Sequence, residues 1–326
     1  MKPCCRFVTI TFTLFACVVL SSSAFAQDIQ NRIRSATNNA NQDQVYDLQY
    51  KFVQGQELTW DTEHTAKTNN RASGKTGSSS VRTTSVKRWT VKSVEGNGDT
   101  TFVPSFDSIA MWQQVDEGEP ASYDSTKDEK PSVEFTGVDE KIKKPLAVLT
   151  ISKFGEILER KSESRQAKFG VGDACIPLPQ KAIPVGARWF VATSYDVKDD
   201  DSKRIQLKAR INYQLTKVKD NNAYISFKTE VLTPIESPII RSQLLQQIND
   251  GYLVFDIANG RHIRKEVEWN EKVQGHQGPD SYLQYTGRLS ETFSAATAKK
   301  VSSSNTAAPN SASKLRELDG KPIIRK

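Results

Sequence analysis

Residues 261–273 read RHIRKEVEWNEKV, and this stretch decides the fold. Its even positions His262, Arg264, Glu266, Glu268, Asn270 and Lys272 are polar. At odd positions Ile263, Val267, Trp269 and Val273 are apolar, with Lys265 and Glu271 as exceptions. Successive side chains of a β-strand point to opposite faces, so a period of two describes a long strand with one face buried. His262 then falls on the polar face, where a surface role is expected.

The same period recurs along the chain. Half-buried strands are predicted at 46–53, 81–94, 100–111, 147–152, 156–160, 188–197, 205–218, 223–232, 252–258 and 282–293, separated by turn residues such as Gly96-Asn97-Gly98-Asp99 and Asp220-Asn221-Asn222. Asn259-Gly260 reads as a tight type I′ hairpin turn, because both residues tolerate positive φ. One segment departs from the pattern. In SPIIRSQLLQQIND, 237–250, Ser237 is a natural N-cap and Pro238 suits the first helical position, while Ile240, Leu244 and Ile248 recur at spacing four and Ile239 and Leu245 widen the apolar stripe. This predicts an amphipathic helix laid against the sheet, as a plug or as a lid over a cavity.

Two hairpins resemble each other, PLAVLTISKFGEILERK at 145–161 and GYLVFDIANGRHIRKEV at 251–267. Upstream of them, Trp89-x-Val91-x-x-Val94 matches Tyr213-x-Leu215-x-x-Val218, and the pairs Ile151/Ile157 and Ile257/Ile263 flank the turns. The expectation is a mainly β protein: an antiparallel curved sheet or open barrel from two duplicated β units, with one or two short amphipathic helices. The units are placed at 45–165, with a polar insert at 116–132, and at 180–293, joined by a linker at 166–179.

Composition marks the flanks. Lys2 and Arg6 precede an apolar run, and Ala24-Phe25-Ala26 forms a cleavage signal, so residues 1–26 read as a signal peptide cut near Ala26 and the protein as exported to the periplasm or beyond. Residues 27–44 read as a polar arm and 294–326 as a disordered basic tail. Cleavage would remove Cys4, Cys5 and Cys17, leaving Cys175 alone, expected as a small buried apolar residue. The formal charge of +7 falls to +5 without Lys2 and Arg6, and basic residues are interspersed with acidic ones; nucleic-acid binding is therefore disfavoured.

The search for chemistry is negative. His64, His262 and His276 are far apart, no H-x-x-x-H, C-x-x-C or H-E-x-x-H spacing occurs, and no nucleophile elbow, Walker loop or dinucleotide fingerprint is present. No catalytic residue, metal or cofactor is expected. The opening Tyr46-Asp-Leu-Gln-Tyr-Lys-Phe-Val-Gln-Gly55 and the later Pro177-Leu-Pro-Gln-Lys-Ala-Ile-Pro-Val-Gly-Ala-Arg-Trp189 resemble uncharacterised secreted β-rich proteins of planctomycete-type bacteria, a likeness that implies no activity. More distantly the expected architecture is similar in outline to periplasmic lipoprotein carriers of the unclosed-barrel type.

These readings lead to a non-enzymatic binding protein of the periplasm or envelope, holding a hydrophobic or lipid-like molecule against the curved sheet, with Trp89, Trp189, Ile240, Leu244 and Trp269 as the candidate contacts. The alternative is a structural component that binds an envelope protein; an exported hydrolase ranks third.

Overall fold

In the computed structural model the described residues are 44–142, 144–161 and 175–294. The expected signal peptide, the N-terminal arm but for Gln44 and the C-terminal tail but for Ser294 lie outside them, as does much of the expected linker.

The chain forms β1 (Val45–Tyr46), β2 (Glu57–Ala72), β3 (Lys75–Val94), β4 (Thr100–Val115), β5 (Ala121–Asp124), β6 (Val148–Ile151), β7 (Ile157–Lys161), β8 (Ile183–Pro184), β9 (Arg188–Lys198), β10 (Arg204–Lys219), β11 (Asn222–Val231), α1 (Pro238–Gln243), β12 (Asp250–Asp256), β13 (Arg261–Gln274) and β14 (Tyr282–Ser294). Twelve strands make one antiparallel curved sheet in the order β7-β6-β4-β3-β2-β14-β13-β12-β11-β10-β9, with β5 on the flank of β4. The ends β7 and β9 do not meet, so the sheet is open. The two halves are joined by β14 pairing with β2, from Tyr282 opposite Arg71 to Ser294 opposite Thr59.

Strand β2 was not expected. Its segment EHTAKTNN is polar on both faces, and its stabilisation comes from its two ladders rather than from an apolar stripe. Strand β5 lies inside the stretch read as an inserted loop, where Tyr123 buries against Ile109, Phe135 and Val138. The opening strand expected at 46–53 pairs only at Val45 and Tyr46, with Pro184 and Ile183. Beyond Tyr46 the chain runs extended between the two look-alike hairpins: Tyr50 N–H donates to Lys153 O at 2.8 Å and Lys51 N–H to Gly260 O at 3.0 Å. One segment thus ties both turns together.

The turns also differ from expectation. A type I′ turn needs two residues at positive φ, and such pairs are Ser73 (51°) and Gly74 (77°) between β2 and β3 and Asp220 (50°) and Asn221 (60°) between β10 and β11. Asn259-Gly260 instead closes a longer loop, because the Asp256 carboxylate accepts from Asn259 N–H at 2.9 Å and Gly260 N–H reaches Asp256 O at 2.8 Å. Only Gly260 has positive φ there.

The two halves share local constructions. Gly55 N–H donates to Val91 O and Val91 N–H to Gln56 O; likewise Gly186 N–H donates to Leu215 O and Leu215 N–H to Ala187 O. A bulge follows each receiving residue, between Val91 and Ser93 and between Leu215 and Lys217. In this register Val91 faces Phe102 and Leu215 faces Ile225, and the outer hairpins correspond as Leu149 with Leu253 and Ile151 with Phe255, not with Ile257 as the sequence pattern suggested.

The main core lies on one face, called inner below, at one end of the strands. Trp60, Trp89, Phe102, Leu215, Ile225 and Phe255 are fully buried in it beneath Leu48 and Tyr50. Cys175 and Ile176 close it from the side, and burial pushes the Cys175 thiol up to about 12, so it carries almost no thiolate at neutral pH.

Candidate functional site

The opening stretch 261–273 positions the site. A bulge between Val254 and Phe255 leaves Ile263 as an extra residue in β13, so His262 falls opposite Phe255 and turns to the inner face. The expectation of a polar-face histidine is therefore corrected: His262 is 2% exposed. After the bulge Lys265, Val267 and Trp269 share that inner face, which explains why Lys265 broke the polar alternation.

Cross-strand pairing then assembles an ionic cluster above the core. Lys265 lies opposite Glu291 on β14, Glu291 opposite Thr62 on β2, and Thr62 opposite Ser85 on β3. One pleat away Lys87 lies opposite Trp60. Lys87 and Glu291 form a buried ion pair across β2, and His262 Nε2 stands 3.7 Å from Glu291 Oε1. The imidazole stacks on Trp60 with centroids 4.9 Å apart, and Lys87 lies over the Trp89 ring at 5.6 Å. Among the described residues neither ring nitrogen of His262 has a hydrogen-bond partner, nor does Trp89 Nε1.

Burial alone would raise the Glu291 carboxyl, but the Lys87 charge foremost, with Lys265, holds it well below the usual carboxylate range. Burial lowers His262, which stays neutral. Two lysines and a carboxylate are thus held together in the interior, an arrangement that functional sites more often tolerate than plain cores. The sequence carried a signal for it: Lys87 alternates with Trp89, and Glu291 with Leu289 and Phe293, so each sits at an apolar-parity position.

A second feature lies at the far end of the inner face. The predicted helix over 237–250 is shorter than expected, ending at Gln243. Ser237 does cap it, its Oγ accepting from Ile239 and Ile240 N–H. Leu244 buries against Val197 and Leu207 of β9 and β10, whereas Leu245 buries against Val273 and Tyr285 of β13 and β14. Neighbours in an α-helix point only about 100° apart, so a regular helix could not fill clusters on opposite sides, and the chain unwinds into turns. Residues 237–249 consequently bridge the inner face as a roof, pinned by Gln243 to the Lys198 backbone and by Trp269 Nε1, which donates to Gln246 O at 3.1 Å.

Of the candidate contacts, the roof region brings together Ile240, Leu244 and Trp269. Trp89 is enclosed in the main core, stacked on Phe102 at 4.8 Å, and Trp189 is half-buried beside Tyr213, donating to Pro177 O at 2.9 Å. The outer face carries salt-bridge ladders: Arg264 and Arg288 both grip Glu266, and Arg88 grips Asp107 and Glu57. Among the described residues no group of His, Cys, Asp or Glu could hold a metal ion, and no helix is long and apolar enough to cross a membrane.

Comparison with known proteins adds a remote likeness. No family model matches the chain, and no curated protein matches it. A solved structure, the translocator domain of the autotransporter NalP from Neisseria meningitidis, aligns over 83% of this chain and 97% of its own at 9% identity, with a TM-score of 0.25.

Proposed function

We propose that this is an exported, non-enzymatic binding protein of the periplasm or cell envelope that holds a hydrophobic, lipid-like ligand against the inner face of its sheet. The observation that carries this reading is the roof. Residues 237–249 span the inner face with Leu244 and Leu245 in two separate apolar clusters, while Trp269, half-buried, lies beneath them. Lifting such a roof uncovers an apolar floor without disturbing the main core, and the open sheet leaves room for it to move. Two duplicated β units fit the shared glycine contacts and bulges, and β14 would be the strand added to join them.

The test is direct. The protein is purified without detergent, its native mass measured and bound lipid extracted; then brominated fatty acid is titrated against tryptophan fluorescence. Co-purifying lipid, or saturable quenching that Trp269→Phe reduces, is the expected outcome. Absence of both overturns the reading.

A further inference from the structure

We propose that the edge strand β9 is the interface of a symmetric dimer, in which a second copy of this chain continues the sheet. Strand β9 pairs with β10 on one side, and no described strand pairs with its other side. An unpaired edge of this length offers a row of backbone donors and acceptors, which natural sheets usually blunt with proline, a bulge or inward charge. Across its eleven residues, RWFVATSYDVK, there is no proline, and the ladder to β10 has no bulge.

Which residues face outward follows from the hydrogen bonds at the two ends. Ala187 O accepts from Leu215 N–H of β10, so odd positions turn towards β10. Lys198 bonds through both backbone groups to the Gln243 side chain, at 2.8 and 2.7 Å, so even positions turn outward. Gln243 covers that end and leaves Arg188, Phe190, Ala192, Ser194 and Asp196 as the open groups. All five are exposed, and Phe190 is 63% exposed.

Charge then selects the register. With the two-fold axis at Ala192, Ala192 meets its own copy in a hydrogen-bonded pair, Phe190 meets Ser194, and Arg188 meets Asp196 twice over. Sliding the axis to Thr193 would set Arg188 against Lys198, like against like. Opposite charges directly across an antiparallel ladder are favourable and like charges unfavourable, so the Ala192 axis is the one that fits. Interfaces of this kind are isologous, the same patch serving both copies.

Sedimentation velocity over a dilution series of the purified chain tests this, with thermal unfolding as a control for folding. The native protein should sediment with the mass of two chains. Ala192→Pro removes the outward N–H on the axis and should give the mass of one chain with an unchanged melting profile, since edge strands accept proline there. Arg188→Asp and Asp196→Arg should each weaken association by about tenfold, and the two together should restore it. A one-chain mass at every concentration, persistence of the dimer in Ala192→Pro, or failure of the double reversal to recover association overturns the proposal.

Discussion

Lys87 and Glu291 form an ion pair sealed inside the protein, on strands β3 and β14 that β2 separates. Their side chains are 3% and 5% exposed, so each charge depends on the other for what water would have supplied. Glu291→Gln should destabilise by about 3–5 kcal/mol, because it leaves the Lys87 charge buried without its counter-ion. Lys87→Met should cost a similar amount. The double variant should cost clearly less than the sum of the two, a coupling that urea unfolding of the four proteins reads out.

Acid should unfold the protein in two stages, and the direction follows from the two shifts. His262 is lowered in the folded state, so below its ordinary pKa of about 6.5 the unfolded chain takes up the proton more readily, and stability falls as pH falls. Glu291 is also lowered; its contribution is present above the ordinary carboxylate pKa and is lost as pH drops through the folded value. Unfolding free energy measured from neutral to acid pH should therefore show an upper slope that His262→Phe reduces, the rest coming from His64, which burial also lowers, and a lower slope that Glu291→Gln reduces. A flat profile between pH 7 and the carboxylate range would contradict the assignment of a buried neutral imidazole.

Gly260 and Gly74 should respond differently to alanine, although both have positive φ, 60° and 77°. A Cβ at Gly74 meets nothing within 4 Å, so Gly74→Ala should cost only the backbone strain of about 1–2 kcal/mol. At Gly260 the added carbon would lie 2.5 Å from Lys51 N and 2.6 Å from Gln49 O, both backbone atoms that cannot rotate away. Gly260→Ala should therefore break the contact between the second hairpin and the 49–51 segment. The comparison of melting temperatures checks this, with the larger loss expected for Gly260→Ala.

The sequence pattern recovered the antiparallel sheet and most of its strands because one face of each is apolar, as in Trp89, Val91 and in Val267, Trp269. It missed β2, whose polar residues are held by two ladders rather than by burial of a stripe. It misplaced His262 because a bulge reverses side-chain parity without changing residue type. The length of α1 was overestimated for a related reason: the spacing makes Leu245 widen the stripe of Ile240, Leu244 and Ile248, whereas it faces the opposite cluster. The roof residues were legible as apolar, whereas the ionic cluster needed the pairing of β13, β14, β2 and β3, which no local pattern encodes.

The roof over residues 237–249 should open at lower cost than the core. Its helix has six residues, too few to be stable alone, and its anchors are Ser237, Gln243, the Gln246 carbonyl and the two leucines. Amide hydrogens of Arg241, Leu244, Gln247 and Ile248, which bond within the roof, should exchange with solvent faster than those of β10 and β11 around Leu215 and Ile225. Ser237→Ala removes the cap at about 1 kcal/mol, and it should speed exchange in the roof while leaving β10 and β11 unchanged. Leu244→Ala should do more, since Leu244 is fully buried and its loss leaves a cavity beside Val197 and Leu207, at about 2–5 kcal/mol. If the exchange of β10 accelerates in step with the roof in either variant, the two open as one unit and the roof is part of the core.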